Sequence, residues 1–177
     1  MKFHCLRCGS KLKKYSHREF TCPKCRYTHY VNPYPTTSVI IENEKGEIML
    51  VKRKYNPKKS YWDLPGGFVD LGESGEECSR REIKEELGIN LKELIYLGSY
   101  PDKYFFQRIN GDTFTLWYVA KMPNESIKVS DDILGFKFFD PNDIPLKRLA
   151  FINLEKAINA YVKFKKPNVI PDLHQPS

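Results

Sequence analysis

Three glutamates at helical spacing, Glu82, Glu85 and Glu86, constrain this chain more than any other feature of its sequence. On an α-helix, residues three and four positions apart share a face, so these carboxylates point the same way within about one turn. Like charges this close disfavour their own ionisation. One interpretation is a solvated acidic face paired with neighbouring Arg and Lys side chains. The other is a divalent-cation site, because carboxylate oxygens suit Mg²⁺ or Mn²⁺.

The residues around the glutamates predict a helix held between two turns. Ser74 followed by Glu77 is typical of a capping box at a helix N-terminus. Gly88 is placed to end the same helix. Upstream, Gly66 and Gly67 predict a tight turn in which the backbone can approach a ligand closely. The carboxylates are therefore expected on a rigid element beside a glycine-rich loop.

The stretch from Gly67 to Ile89 resembles the signature of the Nudix hydrolases. Gly67 is followed after five residues by Glu73, and after seven more by residues 81–89, R-E-I-K-E-E-L-G-I. Every defined position of the signature is filled in register. The resemblance implies the Nudix fold, an α/β/α sandwich with a mixed sheet. It also implies metal-dependent hydrolysis of a nucleoside diphosphate linked to another moiety.

The resemblance further implies roles for individual residues. The ligands of Mg²⁺ or Mn²⁺ are expected to be Gly67, Glu82, Glu85 and Glu86. Within the family, Arg81 orients a signature carboxylate and Glu73 supports the geometry of loop and helix. Bound metal lowers the pKa of a water that attacks phosphorus. The general base stays open between a signature glutamate and a downstream acid, Asp131 or Asp132.

Two C-x₂-C pairs near the N-terminus predict a second, structural metal site. They are Cys5, Cys8, Cys22 and Cys25, with 13 residues between the pairs. Four thiolates at this spacing can surround one Zn²⁺ tetrahedrally. Disulfides are disfavoured in a reducing cytosol, and a redox C-x-x-C motif would not need a second copy. A closed four-cysteine site has no open position for chemistry, so we expect a structural zinc ribbon.

The excess of positive charge lies in the same N-terminal segment. Residues 1–35 carry eight Lys and Arg against Glu19 alone, a balance of +7 that equals the net charge of the whole chain. Such asymmetry indicates an anionic partner. Three alternatives stay open: nucleic acid bound to the ribbon, steering of a small anionic substrate, or solubilising charge without a partner.

Composition predicts one main domain with a small N-terminal module. The chain has 177 residues, 41% of them hydrophobic, enough for a sizeable core. We expect a zinc ribbon over residues 1–33, a Nudix domain over 34–166 and a C-terminal tail over 167–177. No signal peptide is recognisable, and no apolar run approaches the ~20 residues that span a membrane. We therefore expect a soluble, cytoplasmic protein without a membrane partner, and a homodimer is a further expectation.

The hydrophobic pattern predicts a mixed sheet sandwiched between helices. The expected strands are residues 36–42, 47–53, 93–100, 113–121 and 134–139. The first two are expected to form a hairpin. A second helix is predicted over residues 153–164, where apolar residues recur at helical spacing.

The substrate expectation depends on the segment that follows the signature. A zinc ribbon ahead of a Nudix domain is similar to the NADH pyrophosphatases, which carry a Ser-Gln-Pro-Trp-Pro-Phe-Pro element there. Residues 100–106 of this chain read Y-P-D-K-Y-F-F instead. The chain thus looks more like the shorter zinc-ribbon Nudix proteins, presumed to act on ADP-ribose or related nucleotides. Tyr104, Phe105 and Phe106 are candidates to stack an adenine, with one or two of them facing the ligand.

The loop before the signature offers a further candidate contact. Lys58 and Lys59 either belong to a solvated loop or form a phosphate-facing lip beside the Gly66–Gly67 turn. Both alternatives stay open.

Two rival functions accompany the small-molecule hydrolase. One is an RNA-end processing enzyme whose basic ribbon holds the RNA, and salt-dependent RNA affinity would distinguish it. The other is a nucleotide-sensing regulator on the same fold. The intact set of carboxylates argues against a purely non-catalytic protein.

Overall fold

The structure, a computed structural model of the chain, describes residues 3–12, 19–106 and 109–166, with the backbone alone at 3, 106, 109 and 110. The chain divides into two compact units, Met1–Pro33 and Tyr34–Ser177. The predicted tail over residues 167–177 lies outside the described residues.

The described residues of the first unit form two short β-hairpins, each with one C-x₂-C pair in its turn. In the described part of the chain the strands are β1 (Phe3–His4), β2 (Lys11–Leu12), β3 (Glu19–Thr21) and β4 (Thr28–Tyr30). The two turns have equivalent hydrogen bonds. Gly9 N–H donates to the Cys5 carbonyl in the first turn, and Arg26 N–H donates to the Cys22 carbonyl in the second, both at 2.9 Å. Gly9 and Arg26 both have positive φ, 68° and 62°. Because positive φ favours glycine, the first turn is the more recognisable in sequence.

The second unit is built on a mixed sheet. Its strands are β5 (Tyr34–Glu42), β6 (Ile48–Arg53), β7 (Trp62–Asp63), β8 (Ile95–Phe106), β9 (Ile109–Lys121) and β10 (Ile133–Phe139). Among the described residues they follow the order β10-β6-β5-β9-β8, with β7 paired to β6. β5 and β9 run parallel and the other pairs run antiparallel.

The β5–β6 hairpin opens to admit the loop of the functional site. In the described sheet the two strands pair only beside their turn. Further along β5, Thr37 N–H donates to the Gly67 carbonyl at 2.8 Å and Val39 N–H donates to the Pro65 carbonyl at 3.0 Å. The predicted hairpin is confirmed at its turn, but its strands then separate around residues 65–67.

Helices cover both faces of the sheet. β5 alternates between them: Val39 and Ile41 pack in the core beneath α1 (Gly75–Leu87), and Ile40 packs beneath α2 (Ile152–Lys165). A strand segment buried on both faces is expected to be a continuous apolar run, as residues 39–41 of β5 are. Among the described residues no helix is both long and apolar enough to cross a membrane. The predicted α/β/α sandwich with a mixed sheet is confirmed.

Two strands extend beyond their predicted bounds. The sequence predicts strands over 93–100 and 113–121, whereas β8 continues to Phe106 and β9 begins at Ile109. Pro101 suggests a break, because proline has no N–H for the ladder. β8 is the last strand in the sheet order, and an edge strand can accommodate proline. The segment predicted to contact substrate is therefore part of a long hairpin.

Candidate functional site

The helix that carries the glutamates begins and ends where its sequence predicts. Ser74 Oγ accepts from the Glu77 N–H at 3.2 Å, and the Glu77 carboxylate accepts from the Ser74 N–H at 2.8 Å. These reciprocal bonds form the predicted capping box. Gly88 has a left-handed conformation with φ 70°, and its N–H donates to the Lys84 carbonyl at 3.0 Å. Both caps are local, so the bounds of α1 follow from its own sequence.

Arg81 joins α1 to the loop in front of it. Its Nε and Nη2 donate to the two carboxylate oxygens of Glu73 at 2.7 and 2.9 Å. Its Nη1 donates to Glu82 at 2.9 Å and to Glu85 at 3.2 Å. Its Nη2 also donates to the Phe68 carbonyl at 3.0 Å. A planar guanidinium can satisfy this set of acceptors, whereas a lysine ammonium cannot.

Glu73 acts in this site as a fixed anion. Hydrogen bonds from Arg81 and from the Asp70 N–H lower the pKa of Glu73 to about 2. A carboxylate with this pKa stays charged near neutral pH and does not exchange a proton there. Glu73 therefore orients Arg81 and is not suited to general acid or base chemistry.

The Glu82 carboxylate lies directly against Gly67. The Glu82 side chain is 17% exposed, and a Cβ atom on Gly67 would stand 2.3 Å from Glu82 Oε1. Gly66 is equally confined, because its φ is 144° and a Cβ atom there would stand 2.2 Å from the Thr37 carbonyl oxygen. Only glycine fits at either position, so the Gly-Gly pair allows the loop backbone to touch the acidic face.

Glu86 faces the same loop one turn further along α1. One of its carboxylate oxygens accepts from the Gly66 N–H at 3.1 Å. Burial raises the pKa of Glu86 to about 8 in spite of this bond, and the charge of Glu82 contributes to the rise. Burial also raises the pKa of Glu82. A bound cation would favour the charged form of both carboxylates, so their chemistry fits a divalent metal.

Glu85 differs from the other two glutamates in its exposure. Its side chain is 60% exposed and is held at the edge of the site by Arg81. Where the structure describes the chain, only the four cysteines bring three or more ligand atoms within 4.8 Å of one another. The three glutamate carboxylates share a helix face as predicted, but they do not converge on one point.

The four predicted cysteine ligands do converge. The Sγ atoms of Cys5 and Cys25 are 3.6 Å apart, and those of Cys8 and Cys22 are 3.8 Å apart. A tetrahedral zinc site with Zn–S bonds of about 2.3 Å has sulfur–sulfur distances of roughly 3.8 Å. All five cysteines of the chain are free of disulfides. The donor set and its spacing therefore fit a closed Zn²⁺ site.

The glycine loop borders two cavities that the sequence does not reveal. The first has a volume of about 120 Å³ and is lined by Phe68, Tyr104 and Phe151 among others. The second has a volume of about 170 Å³ and contains Glu86 and Asp132. The two share four lining residues, Arg53, Asp63, Leu64 and Gly66. A substrate with two ends can thus have one end on each side of the loop.

Arg53 and Asp63 are the functional candidates that sequence reasoning missed. Arg53 Nη1 donates to Asp63 at 2.7 Å, and Arg53 Nε donates to the Pro57 carbonyl at 2.8 Å. Burial raises the pKa of Asp63 to about 6, although Arg53 acts in the opposite direction. The available signal was an arginine at the end of an apolar strand and an aspartate just before the Leu-Pro-Gly-Gly turn. Nothing in their spacing indicates that the two side chains meet.

The three aromatic residues that were predicted to contact substrate lie in different environments. Tyr104 lines the first cavity, where its ring centroid is 5.7 Å from that of Phe68 and 6.1 Å from that of Phe151. Phe105 is 56% exposed and does not line the two cavities beside the loop. The side chain of Phe106 lies outside the part of the chain that the structure describes. Alternation along β8 explains why neighbouring aromatics face opposite sides.

The predicted lysines and downstream acids also differ in their positions relative to the two cavities. Lys58 Nζ lies 5.2 Å from the centre of the Tyr61 ring, and neither Lys58 nor Lys59 lines the two cavities beside the glycine loop. Asp132 lines the second cavity together with Glu86. Asp131 is fully exposed, with Lys54 3.6 Å away. Of the two downstream acids, Asp132 is the one placed beside the signature helix.

Comparison with known proteins agrees with this geometry. Residues 33–159 match the family model described as the NUDIX domain. The chain is 37% identical over 142 residues to an ADP-ribose pyrophosphatase of Methanocaldococcus jannaschii, covering 79% of each chain. It is 33% identical to NAD-capped RNA hydrolase NudC of Pseudomonas aeruginosa, covering 80% of this chain and 49% of that relative.

The fold is also similar to that of solved structures. A NUDIX hydrolase from Nitrosomonas europaea superimposes with a TM-score of 0.69 at 24% identity, over 92% of this chain and 91% of that chain. The glycine loop, the capped helix and its carboxylates lie within the matched residues 33–159. With the signature, the sandwich fold and the family match in agreement, the chain belongs to the Nudix family.

Proposed function

We propose that this protein is a divalent-metal-dependent pyrophosphohydrolase that cleaves ADP-ribose or a related dinucleotide between its two phosphates. The observation that carries the proposal is the position of the Glu82 and Glu86 carboxylates against the loop that separates two cavities. A diphosphate that spans the loop has its scissile bond beside the carboxylates and its two substituents in the cavities. The name of the Methanocaldococcus relative, ADP-ribose pyrophosphatase, supports this choice of substrate.

Mg²⁺ or Mn²⁺ is the cofactor that suits this acidic site. Glu82, Glu86 and the Gly67 carbonyl are its proposed ligands, with Glu85 as an exposed addition. When bound, the metal neutralises charge on the phosphoryl oxygens and lowers the pKa of the attacking water. The Gly67 carbonyl already accepts from the Thr37 N–H, which fixes its direction and leaves its second lone pair available.

The protein side chains supply position and charge. Arg81 holds Glu82 and Glu85 in place, and Glu73 orients Arg81 through a bidentate pair. Arg53 borders both cavities, so its remaining N–H groups are placed to donate to a diphosphate at the junction. Asp132, beside Glu86 in the second cavity, is the downstream acid best placed to accept a proton from water.

The N-terminal unit is proposed to be a zinc ribbon with a structural role. Its four thiols match the spacing of a closed tetrahedral site, which has no open position for a substrate. Free cysteines throughout the chain suit a reducing compartment, and we infer a cytoplasmic location from them.

A second candidate function is removal of a nucleotide cap from RNA. The Pseudomonas relative is named NAD-capped RNA hydrolase, although this chain spans 49% of its length. Residues 1–35 carry a formal charge of +7, and such an excess of Lys and Arg favours salt-dependent binding of RNA. A nucleotide cap contains the same diphosphate linkage, so one active site serves either substrate.

A direct hydrolysis assay separates these functions. The full-length protein is incubated with ADP-ribose, NADH, a dinucleoside polyphosphate or NAD-capped RNA, each with Mg²⁺ or Mn²⁺ and with neither. The proposal predicts AMP and ribose 5-phosphate from ADP-ribose only when metal is added. Preferential turnover of capped RNA that declines steeply with salt would favour the second candidate. Absence of metal-dependent cleavage of all four substrates would contradict both.

A further inference from the structure

Two cations lie over a single aromatic ring in the second unit. Lys58 Nζ is 5.2 Å and Arg148 Cζ is 5.5 Å from the centre of the Tyr61 ring. The ring attracts each cation, but the two positive charges at one ring repel each other. An anion bound between them would relieve this repulsion.

Two more cations lie over the neighbouring rings. The Trp62 and Phe139 rings meet edge to face, with their centroids 5.1 Å apart. Lys52 Nζ is 5.8 Å from the centre of the Trp62 ring, and Lys137 Nζ is 5.0 Å from that of Phe139. Tyr61, Trp62 and Phe139 all pack against the core under α2. The three rings therefore belong to one surface of the second unit.

We call this the cation–aromatic surface, and it consists of Lys52, Lys58, Tyr61, Trp62, Lys137, Phe139 and Arg148. None of its four cations forms an ion pair with a carboxylate of the described residues. Residues 52–62 contain five Lys and Arg and no acid, and residues 137–148 contain three against two Asp. Contact with a ring restrains each cation before a ligand arrives, which reduces the entropic cost of binding. The surface thus suits a ligand with several negative charges.

The cation–aromatic surface adjoins the first cavity beside the glycine loop. The Ala150 N–H donates to the Trp62 carbonyl at 2.8 Å, which holds the segment after Arg148 along β7. The next residue, Phe151, lines the first cavity, and Arg53 Cζ lies 5.2 Å from the centre of its ring. A polymer that leaves the cavity can therefore continue onto the surface.

We propose that the cation–aromatic surface binds the phosphates of a single-stranded RNA whose 5′ nucleotide cap lies in the active site. Successive phosphates of RNA supply the repeated negative charge that four unpaired cations attract. ADP-ribose has no such continuation and does not need the surface. This inference rests on the second candidate function and deepens it, because it assigns RNA binding to the second unit and not to the N-terminal unit alone.

Binding without turnover is the first test. Full-length protein, without added Mg²⁺ or Mn²⁺, is titrated with a 3′-fluorescent NAD-capped RNA, and anisotropy is measured at several salt concentrations. The test variant combines Lys52→Gln, Lys137→Gln and Arg148→Gln. Loss of three phosphate contacts should weaken binding at low salt at least about tenfold. It should also reduce the slope of log Kd against log salt concentration by up to about 2.

The matched control removes the same number of charges from other parts of the second unit. It combines Lys45→Gln, Lys156→Gln and Lys163→Gln, at exposed lysines outside the cation–aromatic surface. Its RNA affinity is expected to stay within about twofold of the wild-type value, because salt screens exposed charges that do not contact the ligand.

Turnover distinguishes a docking surface from a part of the active site. Lys52, Lys137 and Arg148 line neither cavity beside the glycine loop. The test variant should therefore keep the wild-type kcat/KM for ADP-ribose, while its kcat/KM for NAD-capped RNA falls about tenfold. An equal fall for both substrates would overturn the inference.

The binding outcomes decide the inference apart from the proposed function. Weaker RNA binding in the test variant alone supports it. Wild-type affinity and salt slope in a folded test variant overturn it, as does an equal loss in the control. Binding of the wild-type protein to phosphatidylserine vesicles but not to RNA would also overturn it. If the wild-type protein hydrolyses none of the diphosphates, the proposed function fails, and the binding test still stands.

A single substitution covers the case in which the triple variant does not fold. Lys137→Gln changes one exposed side chain of the cation–aromatic surface, and Lys45→Gln is its control. The salt slope is expected to fall by about 0.7 in the first variant and to stay unchanged in the second. Equal slopes in the two variants would contradict the inference.

Discussion

At the scale of single residues, Arg81 distributes the roles of the surrounding acids. It neutralises Glu73 with a bidentate pair and reaches Glu82 and Glu85 with its remaining donors. Glu73 consequently keeps its charge, with a pKa of about 2, while burial raises the pKa of Glu82. The helix face and the loop in front of it thus contain acids with opposite pKa shifts, a pattern that is typical of functional sites.

The Arg81→Lys variant tests this positioning role. A lysine keeps the charge but cannot donate to Glu73, Glu82 and Glu85 together, so kcat is expected to fall at least about tenfold. The Mg²⁺ concentration needed for half-maximal activity should rise, because Glu82 and Glu85 lose their common support. Thermal unfolding and an Mg²⁺ titration of ADP-ribose hydrolysis provide the measurement.

The matched control for this variant is Arg80→Lys. Arg80 is adjacent on α1 but donates to the backbone carbonyls of Glu76 and Lys92 at the surface. It is expected to keep wild-type kcat and Mg²⁺ dependence. Equal kinetics for the two variants would argue against a positioning role for Arg81.

At the scale of elements, the bounds of helices and strands could be predicted where the signal lies in the local sequence, but not where it depends on tertiary contacts. α1 has its capping box and terminal glycine within its own sequence, so its bounds follow directly. The bounds of β8 could not be predicted in this way, because Pro101 indicates a break in the strand unless the strand is known to lie at a sheet edge. Likewise, β5 and β6 separate because the glycine loop binds β5.

The residues of the candidate site show the same difference between local and tertiary signals. The glutamates and cysteines proposed as metal ligands were predicted because each set has a fixed spacing within one short segment. The Arg53–Asp63 pair was not, because it joins β6 to β7. Side chains that meet only through sheet pairing leave no periodic signal in one sequence.

A buried carboxylate links three elements of the second unit. Glu42, at the end of β5, is 4% exposed and lies 3.0 Å from Lys121 Nζ on β9 and 2.9 Å from Lys165 Nζ on α2. Burial opposes its ionisation, but hydrogen bonds from both lysines and from Tyr161 lower its pKa below the usual value. The charged form of Glu42 therefore contributes to stability.

The Glu42→Gln variant is expected to lose about 1–2 kcal/mol of unfolding free energy at pH 7, since the two lysines are partly exposed. The folded pKa lies below the unfolded value of 4.5. The stabilisation is therefore complete above that pH and declines as the pH falls through the folded pKa. Urea unfolding from pH 7 to pH 3 should show the two proteins converging at low pH.

Exposed Glu44 supplies the control for this prediction. Glu44→Gln removes the same charge two residues away and should change the unfolding free energy by less than about 0.5 kcal/mol. A constant difference between wild type and Glu42→Gln at every pH would contradict the electrostatic explanation.

At the scale of the whole molecule, the two units are stabilised in different ways. The second has two extensive apolar cores, one under each helix. Among its described residues, the first has a small buried cluster of Cys5, Leu12 and Cys22, with Phe20 and Cys25 partly buried against them. A segment this small rarely folds on hydrophobic burial alone. We therefore expect its structure to depend on bound metal.

Replacing one cysteine ligand tests this dependence in the full-length chain. Elemental analysis should find one Zn per wild-type chain and clearly less in Cys22→Ser. Amide exchange within residues 3–12 and 19–33 should accelerate strongly in the variant, whereas the core strands of the second unit should keep their protection. Cys78→Ser, outside the four-cysteine set, should retain its zinc. Wild-type zinc content and exchange in Cys22→Ser would refute the assignment.

The central claim is that the carboxylates beside the glycine loop bind the catalytic metal. Glu86→Gln tests it most directly, because glutamine keeps the shape of the side chain and removes its charge. Glu155→Gln, at an exposed position of α2, is the matched control. ADP-ribose hydrolysis at saturating Mg²⁺ is expected to fall by about 10²-fold or more in kcat for Glu86→Gln and to stay at the wild-type rate for the control. Near-wild-type turnover by a folded Glu86→Gln protein would contradict the account.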